Sequence, residues 1–363
     1  MNKMFISIAK RENNTKRGYL IVNPFQGKHI PVSPSVSLSV FSDLAKKIEG
    51  KYENERILFI GFAETATAIG AQVAVTTGMP YIQTTREIIP DVEYIFFSEE
   101  HSHATEQKLV KTDLDSVIEN VDRIIFVEDE VSTGKTILNI INMLQKIYEK
   151  KFRFSVMSIL NGMTPEDMEK YSGIDIEFLY LEKIDRSSFE KIAAQFEIKG
   201  EENPCDLSPA DYSVVSINGY MNARRLVDSN QYLKSCSDFA DKIIQTQNIA
   251  SGKKILVLGT EEFMYPAIFA GKKIEELGNT VRTHSTTRSP ISVYSEENYP
   301  LHSRFQLASL YDPARTTYLY NLDHYDKVLI VTDSALENPE GISSLINAVK
   351  KFSKDITVIR WIK

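Results

Sequence analysis

The sequence predicts an α/β protein of two lobes, each an open, mostly parallel sheet flanked by helices. Three observations carry the prediction. Apolar runs of strand length alternate with segments of helical period along most of the chain. Several of these runs end in Gly, Thr or acidic residues directly before a helix, as 56–62 (RILFIGF) and 123–129 (RIIFVED) do. The same succession of apolar strand, Gly turn, helix and Thr-Thr-Arg strand end recurs after Lys254. A stretch rich in Gly, Pro and polar residues, 200–212, interrupts the alternation, so residues 1–200 are expected to form one domain and 201–363 another.

With 363 residues the chain is long enough for two cores, and 42% hydrophobic content with 25% charge is ordinary for a soluble globular protein. A formal net charge of −7, with no long run of Lys or Arg, argues against nucleic acid or anionic membranes as partners. Cys205 and Cys236 are too few and too unpatterned for a disulfide framework or a zinc site, which points to a reducing compartment. The first residues lack the apolar stretch of a signal peptide, and no segment approaches the roughly 20 apolar residues of a membrane span. A cytoplasmic protein is expected.

In chain order, residues 19–22 (YLIV) read as a short strand, and 23–31 carry the turn residues of a loop. A helix follows from Pro34 through Ile48, closed by Gly50. Residues 56–62 read as a fully buried strand because apolar residues are not alternated with polar ones. The turn after it passes into a helix marked by Ala68, Ile69, Ala71 and Val73. Residues 79–86 and 91–98 supply two more strands, the first ending in Thr84, Thr85 and Arg86, and the polar segment 98–105 is a loop. Strands at 151–160 and 174–181 are separated by a helix that Thr164-Pro165-Glu166-Asp167 starts.

The chemistry is concentrated in residues 123–136, RIIFVEDEVSTGKT. An apolar strand runs into Glu128 and Asp129, and Ile137, Leu138, Ile140, Ile141 and Leu144 recur at helical spacing behind a small hydroxyl-rich loop. Ser132, Thr133, Gly134, Lys135 and Thr136 therefore sit where a strand's carboxyl end meets a helix N terminus. Unbonded N–H groups, the positive end of the helix dipole and three hydroxyls make that junction an anion site. Carboxylates over the strand end accept hydrogen bonds from vicinal sugar hydroxyls, so the ligand predicted has a phosphate at one end and a diol at the other. A P-loop competes, since Gly134-Lys135-Thr136 matches its GKT end. That motif needs glycine at 129, where Asp129 would face the phosphates.

These residues resemble the PRPP-binding loop of type I phosphoribosyltransferases, in which strand residues precede an acidic pair and a Thr/Gly loop. Glu130 departs from the aliphatic residue usual there. The resemblance implies transfer of ribose 5-phosphate from PRPP to a nitrogen or similar nucleophile with release of pyrophosphate. Glu128 and Asp129 would be catalytic, holding the ribose hydroxyls and stabilising positive charge at the anomeric carbon, while residues 132–136 hold the 5-phosphate. It further implies that the turn at Ala63, Glu64 and Thr65, with Arg86, contacts pyrophosphate, and that a flap containing His101, Ser102 and His103 closes over the reaction. Glu64 next to pyrophosphate calls for magnesium or an outward rotamer, although an acid in a helix's first turn also suits the dipole. Mg2+ would be held mainly by PRPP, with no protein metal cage. PRPP and a small-molecule acceptor are the expected partners, and a homodimer the expected assembly. A PRPP-sensing regulator without catalysis is the alternative, although no helix-turn-helix or basic stretch supplies an output.

From Lys254 the chain repeats its own pattern. Residues 255–262 parallel 57–64, Thr286-Thr287-Arg288 answers Thr84-Thr85-Arg86, and 326–333 match 122–129. The second lobe is therefore expected to be a degenerate copy of the first. Its counterpart of the PRPP loop, 334–339, has no glycine and carries a proline and an acid, so it is not expected to bind PRPP. The sequence TTRSP, with Thr286, Thr287, Arg288 and Ser289, resembles the signature of the TRSP domain that accompanies one bacterial branch of phosphoribosyltransferases; GTEEFMYPA, LYNL and EEHSHA fit the same branch. That resemblance implies gene clusters of stress and tellurite resistance and the synthesis of a nucleotide-like metabolite. Arg288 with its Thr and Ser neighbours could clamp an acceptor's carboxylate or phosphate; a structural buried Arg is the other reading.

Overall fold

The structure, a computed structural model, describes residues 6–12, 17–97 and 107–363. The chain opens with an antiparallel pair, β1 (Ser7–Lys10) and β2 (Tyr19–Val22), then helix α1 (Pro34–Ala45). The next segment holds β3 (Ile57–Gly61), α2 (Thr67–Thr77), β4 (Tyr81–Gln83), the hairpin β5 (Tyr94–Phe97) and β6 (Gln107–Val110), and α3 (Lys111–Asp115). It continues through β7 (Arg123–Val131), α4 (Lys135–Tyr148), β8 (Arg153–Asn161), α5 (Pro165–Glu169), β9 (Ile176–Lys183) and α6 (Phe189–Ala194). The remainder holds β10 (Glu201–Asn203), β11 (Ser213–Asn218), α7 (Ser229–Thr246), β12 (Lys254–Gly259), α8 (Tyr265–Glu276) and β13 (Thr280–Ser285). It ends with the hairpin β14 (Ser303–Ala308) and β15 (Thr316–Tyr320), then β16 (Lys327–Thr332), α9 (Pro339–Val349) and β17 (Ile356–Ile362).

Two compact units result, both discontinuous in sequence. One comprises Ser39–Arg186 and Met221–Lys234; the other comprises Met1–Leu38, Ser187–Tyr220 and Ser235–Lys363. In the first unit a five-stranded parallel sheet has the order β4-β3-β7-β8-β9. Strand succession reverses between β3 and β7, and at such a reversal the loops leaving neighbouring strands diverge to opposite faces and open a crevice at the carboxyl ends. Leu58, Ile60, Ile124, Phe126 and Phe154 fill one core cluster, with the Phe126 and Phe154 rings stacked at 6.0 Å. The inner stripe of α4, Ile137, Ile140, Ile141 and Leu144, is buried at helical spacing. Tyr81, fully buried, donates to Thr67 O at 2.9 Å; a Cβ on Gly70 would stand 2.9 Å from its ring, which accounts for that glycine in a helix interior.

The outer edge of β4 is covered by residues 223–227, through Tyr81 N to Val227 O at 3.0 Å and Gln83 N to Ala223 O at 2.8 Å. Arg225 fixes that segment by gripping Asp113 with Nε and Nη2, both at 2.6 Å. Covering an edge in this way removes unpaired backbone groups from solvent.

The second unit has its own five-stranded parallel sheet, ordered β11-β17-β16-β12-β13. From β13 inward it runs as the first sheet does, and the β14–β15 hairpin stands between β13 and β16 as β5–β6 stands between β4 and β7. The likeness extends to single bonds. Arg56 N donates to Asp122 Oδ2 at 2.9 Å and Lys254 N to Asp326 Oδ2 at 2.8 Å, each aspartate opening the strand next to its partner's. The outermost strand differs: β9 follows its sheet's other strands in the chain, whereas β11 precedes them. The second lobe thus repeats the strand order of the first, with its last strand supplied from the N-terminal side.

His284 on β13 is buried, with Nε2 placed 2.8 Å from Tyr320 O. Burial foremost, with the charge of Lys28 adding to it, lowers its pKa from 6.5 to about 4. Folding therefore holds the imidazole neutral, and between those two pH values the unfolded chain binds the extra proton. The stabilisation is complete above pH 6.5 and is lost progressively as pH falls toward about 4, up to roughly 3 kcal/mol. Thermal unfolding of wild type and His284→Gln across pH 4–7 is expected to show a shallower decline for the variant; parallel curves would sink the assignment.

Candidate functional site

At its carboxyl end β3 leaves the sheet: Gly61 pairs with Val127, and Phe62 N donates to Val127 O at 3.1 Å beyond that pair. β7 does not stop there. It continues through the acids to Val131, held by β8 with Glu128 opposite Ser158, Glu130 opposite Leu160 and Val131 opposite Asn161. The sequence placed the strand's end at Val127. It runs farther because β8 is equally long and the acids, half-buried at the sheet's rim, keep water on the side that β3 has vacated. Glu128, Asp129 and Glu130 therefore border the crevice with a ladder partner on one side.

The turn after β3 forms the crevice's other wall. Thr84 anchors it, accepting from Ala63 N at 2.8 Å and donating its hydroxyl to Gln107 Oε1, while Gln107 Nε2 donates to Ala63 O at 2.7 Å. The Ala63–Glu64 peptide is cis. Glu64 is 8% exposed, and Arg86 is half-buried just beyond Thr85, which exchanges backbone bonds with Lys108. Thr65 spans the crevice, its hydroxyl donating to Asp129 Oδ1 at 2.9 Å. The turn and strand β7, more than sixty residues apart in sequence, are thereby tied at one point.

Behind the acids, Gly134 caps α4 with φ +74°, and Leu138 N donates to its carbonyl at 3.0 Å. The buried hydroxyl of Tyr171 donates to the same carbonyl at 2.5 Å. Ser132, Thr133 and Thr136 are half-buried and Lys135 exposed around this cap. At the ends of the next two strands, Lys183 Nζ donates to Asn161 Oδ1 at 2.7 Å and to Met163 O at 2.6 Å; burial first, then the charge of Arg186, lowers its pKa. The site thus presents a helix N terminus, a row of carboxylates and a second backbone turn along one strand-end crevice. Such a site can bind a molecule anionic at both ends and hydroxylated in the middle.

The sequence profile of a family described as phosphoribosyl transferase matches residues 5–183, and that of the TRSP domain C-terminal to this transferase matches residues 225–349. The chain belongs to this transferase family. No curated protein matches it. Among solved structures it is similar to adenine phosphoribosyltransferase from Thermoanaerobacter pseudethanolicus, at 16% identity and a TM-score of 0.33 over 50% of this chain and 97% of that one. It is also similar to the Rhodothermus marinus enzyme, at 11% identity and 0.34 over 50% and 96%. A third is the Trypanosoma brucei enzyme in complex with AMP, pyrophosphate and ribose-5-phosphate, at 12% identity and 0.34 over 50% and 77%.

In the transferase lobe the expected residues Ala63, Glu64, Thr65, Glu128, Asp129 and 132–136 lie at the carboxyl ends of the neighbouring strands β3 and β7, with Arg86 beyond the end of β4 beside them. His101, Ser102 and His103 lie outside the described residues. Among the described residues no group of three His, Cys, Asp or Glu is placed to hold a metal, and no helix is long and apolar enough to cross a membrane. In the TRSP domain Thr286 and Thr287 are buried, their hydroxyls accepting from Glu261 N at 3.0 Å and Ser289 N at 3.2 Å; Arg288 and Ser289 are half-buried. Sequence reasoning missed Gln107 and Tyr171. Neither carries a local signal, because each acts on a backbone carbonyl more than thirty residues away.

Proposed function

We propose that the chain moves ribose 5-phosphate from PRPP to a base-like nitrogen acceptor and releases pyrophosphate, in cytoplasmic synthesis of a nucleotide-like metabolite linked to stress or tellurite resistance. The observation that carries this reading is the Thr65–Asp129 hydrogen bond at 2.9 Å, which joins the turn of Ala63, Glu64 and Thr65 to the acid row at the point where strand order reverses. A pyrophosphate on the turn and a ribose on the acids would then share the anomeric carbon between them.

In this reading the N–H groups of residues 132–136 bind the 5-phosphate, aided by the dipole of the 14-residue α4. Glu128 and Asp129 accept the ribose hydroxyls, and their charge stabilises the positive anomeric carbon as the bond to pyrophosphate lengthens. Arg86 and the turn receive the leaving group, and the acceptor nitrogen forms the new bond to the vacated carbon. Glu64, Glu128 and Asp129 are hard oxygen donors of the kind from which Mg2+ takes one or two while keeping phosphate oxygens and water. Bound with PRPP, Mg2+ would supply charge neutralisation of the leaving pyrophosphate. Residues 1–200, whose parallel sheet belongs to the unit Ser39–Arg186 with Met221–Lys234, would constitute the transferase domain and 201–363 the TRSP domain; there Thr286 and Thr287 are buried on backbone N–H groups, which leaves Arg288 and Ser289 as the candidates for contacting an acceptor.

Calorimetric titration of the full chain with PRPP and Mg2+, with ATP and NAD as controls, tests the reading. Selective binding of PRPP is the expected result. ATP binding in its absence would replace this reading with that of a P-loop protein.

A further inference from the structure

The strand ends of the second lobe reproduce those of the first bond for bond. Thr84 N donates to Gly61 O at 2.9 Å, and Thr286 N to Gly259 O at 3.2 Å. The hydroxyl of Thr84 accepts from Ala63 N at 2.8 Å, and that of Thr286 from Glu261 N at 3.0 Å. Glu87 N donates to Thr85 Oγ1 at 2.9 Å, and Ser289 N to Thr287 Oγ1 at 3.2 Å. Gln107 holds the carbonyl of Ala63, and the fully buried Lys28 holds the equivalent carbonyl of Glu261 at 2.6 Å, also donating to Thr286 O at 2.9 Å. The frame is therefore the same, and the groups standing in it are different.

Asp333 occupies the place of Asp129. Its two oxygens each accept a tyrosine hydroxyl, Oδ1 from Tyr311 at 2.7 Å and Oδ2 from Tyr220 at 2.6 Å. Thr332 replaces Glu128, and its hydroxyl oxygen accepts from Thr260 at 2.8 Å. Where the first lobe has the methyl group of Ala63, the second has the carboxylate of Glu261, 1% exposed, bonded to Arg315 Nη1 at 2.7 Å and to Ser309 Oγ at 2.5 Å. Two hydroxyls on the two oxygens of one carboxylate is the contact pattern of a vicinal diol. A buried carboxylate on an arginine supplies an anion to the turn that would otherwise take one.

We propose that the second lobe keeps a sugar-diol and anion frame which the chain fills with its own side chains, Tyr220 and Tyr311 in the diol position and Glu261 on Arg315 in the anion position. The comparison rests on reading the first lobe as the PRPP site. On this account equivalent acids have opposite duties: Asp129 serves a ligand, whereas Asp333 serves the fold.

The test uses the full chain as wild type, Asp333→Asn, Tyr311→Phe and the double variant, read by thermal unfolding and by PRPP titration. Asp333→Asn removes the charge from two hydrogen bonds, so its Tm is expected to fall by roughly 4–8 °C. Tyr311→Phe should shift Tm in the same direction, and the double variant should lose less than the sum because both changes break one contact. PRPP affinity should stay within about twofold of wild type, since the altered contact lies outside the proposed PRPP site. An unchanged Tm in Asp333→Asn, additive losses, or a second PRPP per wild-type chain that Asp333→Asn removes would overturn the proposal. Should Asp333→Asn fail to fold, Tyr220→Phe, which removes a single hydroxyl from a half-buried residue, carries the same expectation. If PRPP binds nowhere the function reading fails, while the unfolding measurements still decide this one.

Discussion

Asp129→Asn is expected to weaken PRPP binding by about a hundredfold and to lower kcat/KM by about a thousandfold, roughly 4 kcal/mol of transition-state stabilisation. The change is isosteric. The amide oxygen of the variant can still accept the Thr65 hydroxyl that now bonds Asp129 Oδ1 at 2.9 Å, so the two walls of the crevice stay tied. On the proposed function, what is lost is a negative charge beside the anomeric carbon and an acceptor for a ribose hydroxyl. Stability should not fall, because Glu128, Asp129 and Glu130 are three half-buried acids in succession and removing one charge relieves their repulsion. Thr65→Val, which cuts the tie and leaves the charge, is expected to cost about tenfold in PRPP affinity. Calorimetry reads both variants without knowledge of the acceptor, and pyrophosphate release reads turnover once an acceptor is in hand. Full PRPP affinity in Asp129→Asn would remove the first lobe from consideration as the site.

The residues that made this prediction possible were legible in the sequence because buried parallel strands are uninterrupted apolar runs and their turns are marked by Gly and Thr. β2 falls where the pattern places it, and Ile57–Gly61 ends in the expected turn. Even the internal repeat was visible, since Gly259 and Asp333 keep the order of Gly61 and Asp129. Two other strands were not legible: β1 and β6 lack the uninterrupted apolar run that marks β2, and each is stabilised by an antiparallel partner. The end of β7 was misplaced because acids at a sheet rim remain hydrogen-bonded to a long neighbour. Contacts such as Lys28 to Glu261 O lie 233 residues apart, and no window of sequence contains both ends. For the same reason Tyr220 and Tyr311 read as separate aromatics until the fold brought both to Asp333.

Gly134→Ala should damage stability and PRPP binding together, for reasons that can be separated. With φ at +74°, Gly134 occupies the left-handed region, where an L residue pays roughly 1–2 kcal/mol. A Cβ there would also stand 2.5 Å from the Tyr171 hydroxyl and 3.1 Å from Met163 Cε. Tyr171 is buried and donates to the Gly134 carbonyl, so moving it breaks a hydrogen bond worth about 1 kcal/mol. Together these predict a loss of about 2–4 kcal/mol and a Tm lower by several degrees. Because Gly134 caps α4, its displacement turns the N–H groups of residues 135 and 136 away from the phosphate position, and PRPP affinity should fall more than tenfold. Tyr171→Phe removes the hydroxyl without imposing the left-handed strain, and is expected to cost only about 1 kcal/mol. In the double variant the 2.5 Å clash is gone while the strain and the tighter-than-usual contacts to Met163 Cε and the ring of residue 171 remain, so its loss should be smaller than the sum of the single losses. Additive losses would mean that the glycine's missing Cβ and the tyrosine hydroxyl do not compete for the same space, leaving the shape of the phosphate loop to the backbone of α4 alone.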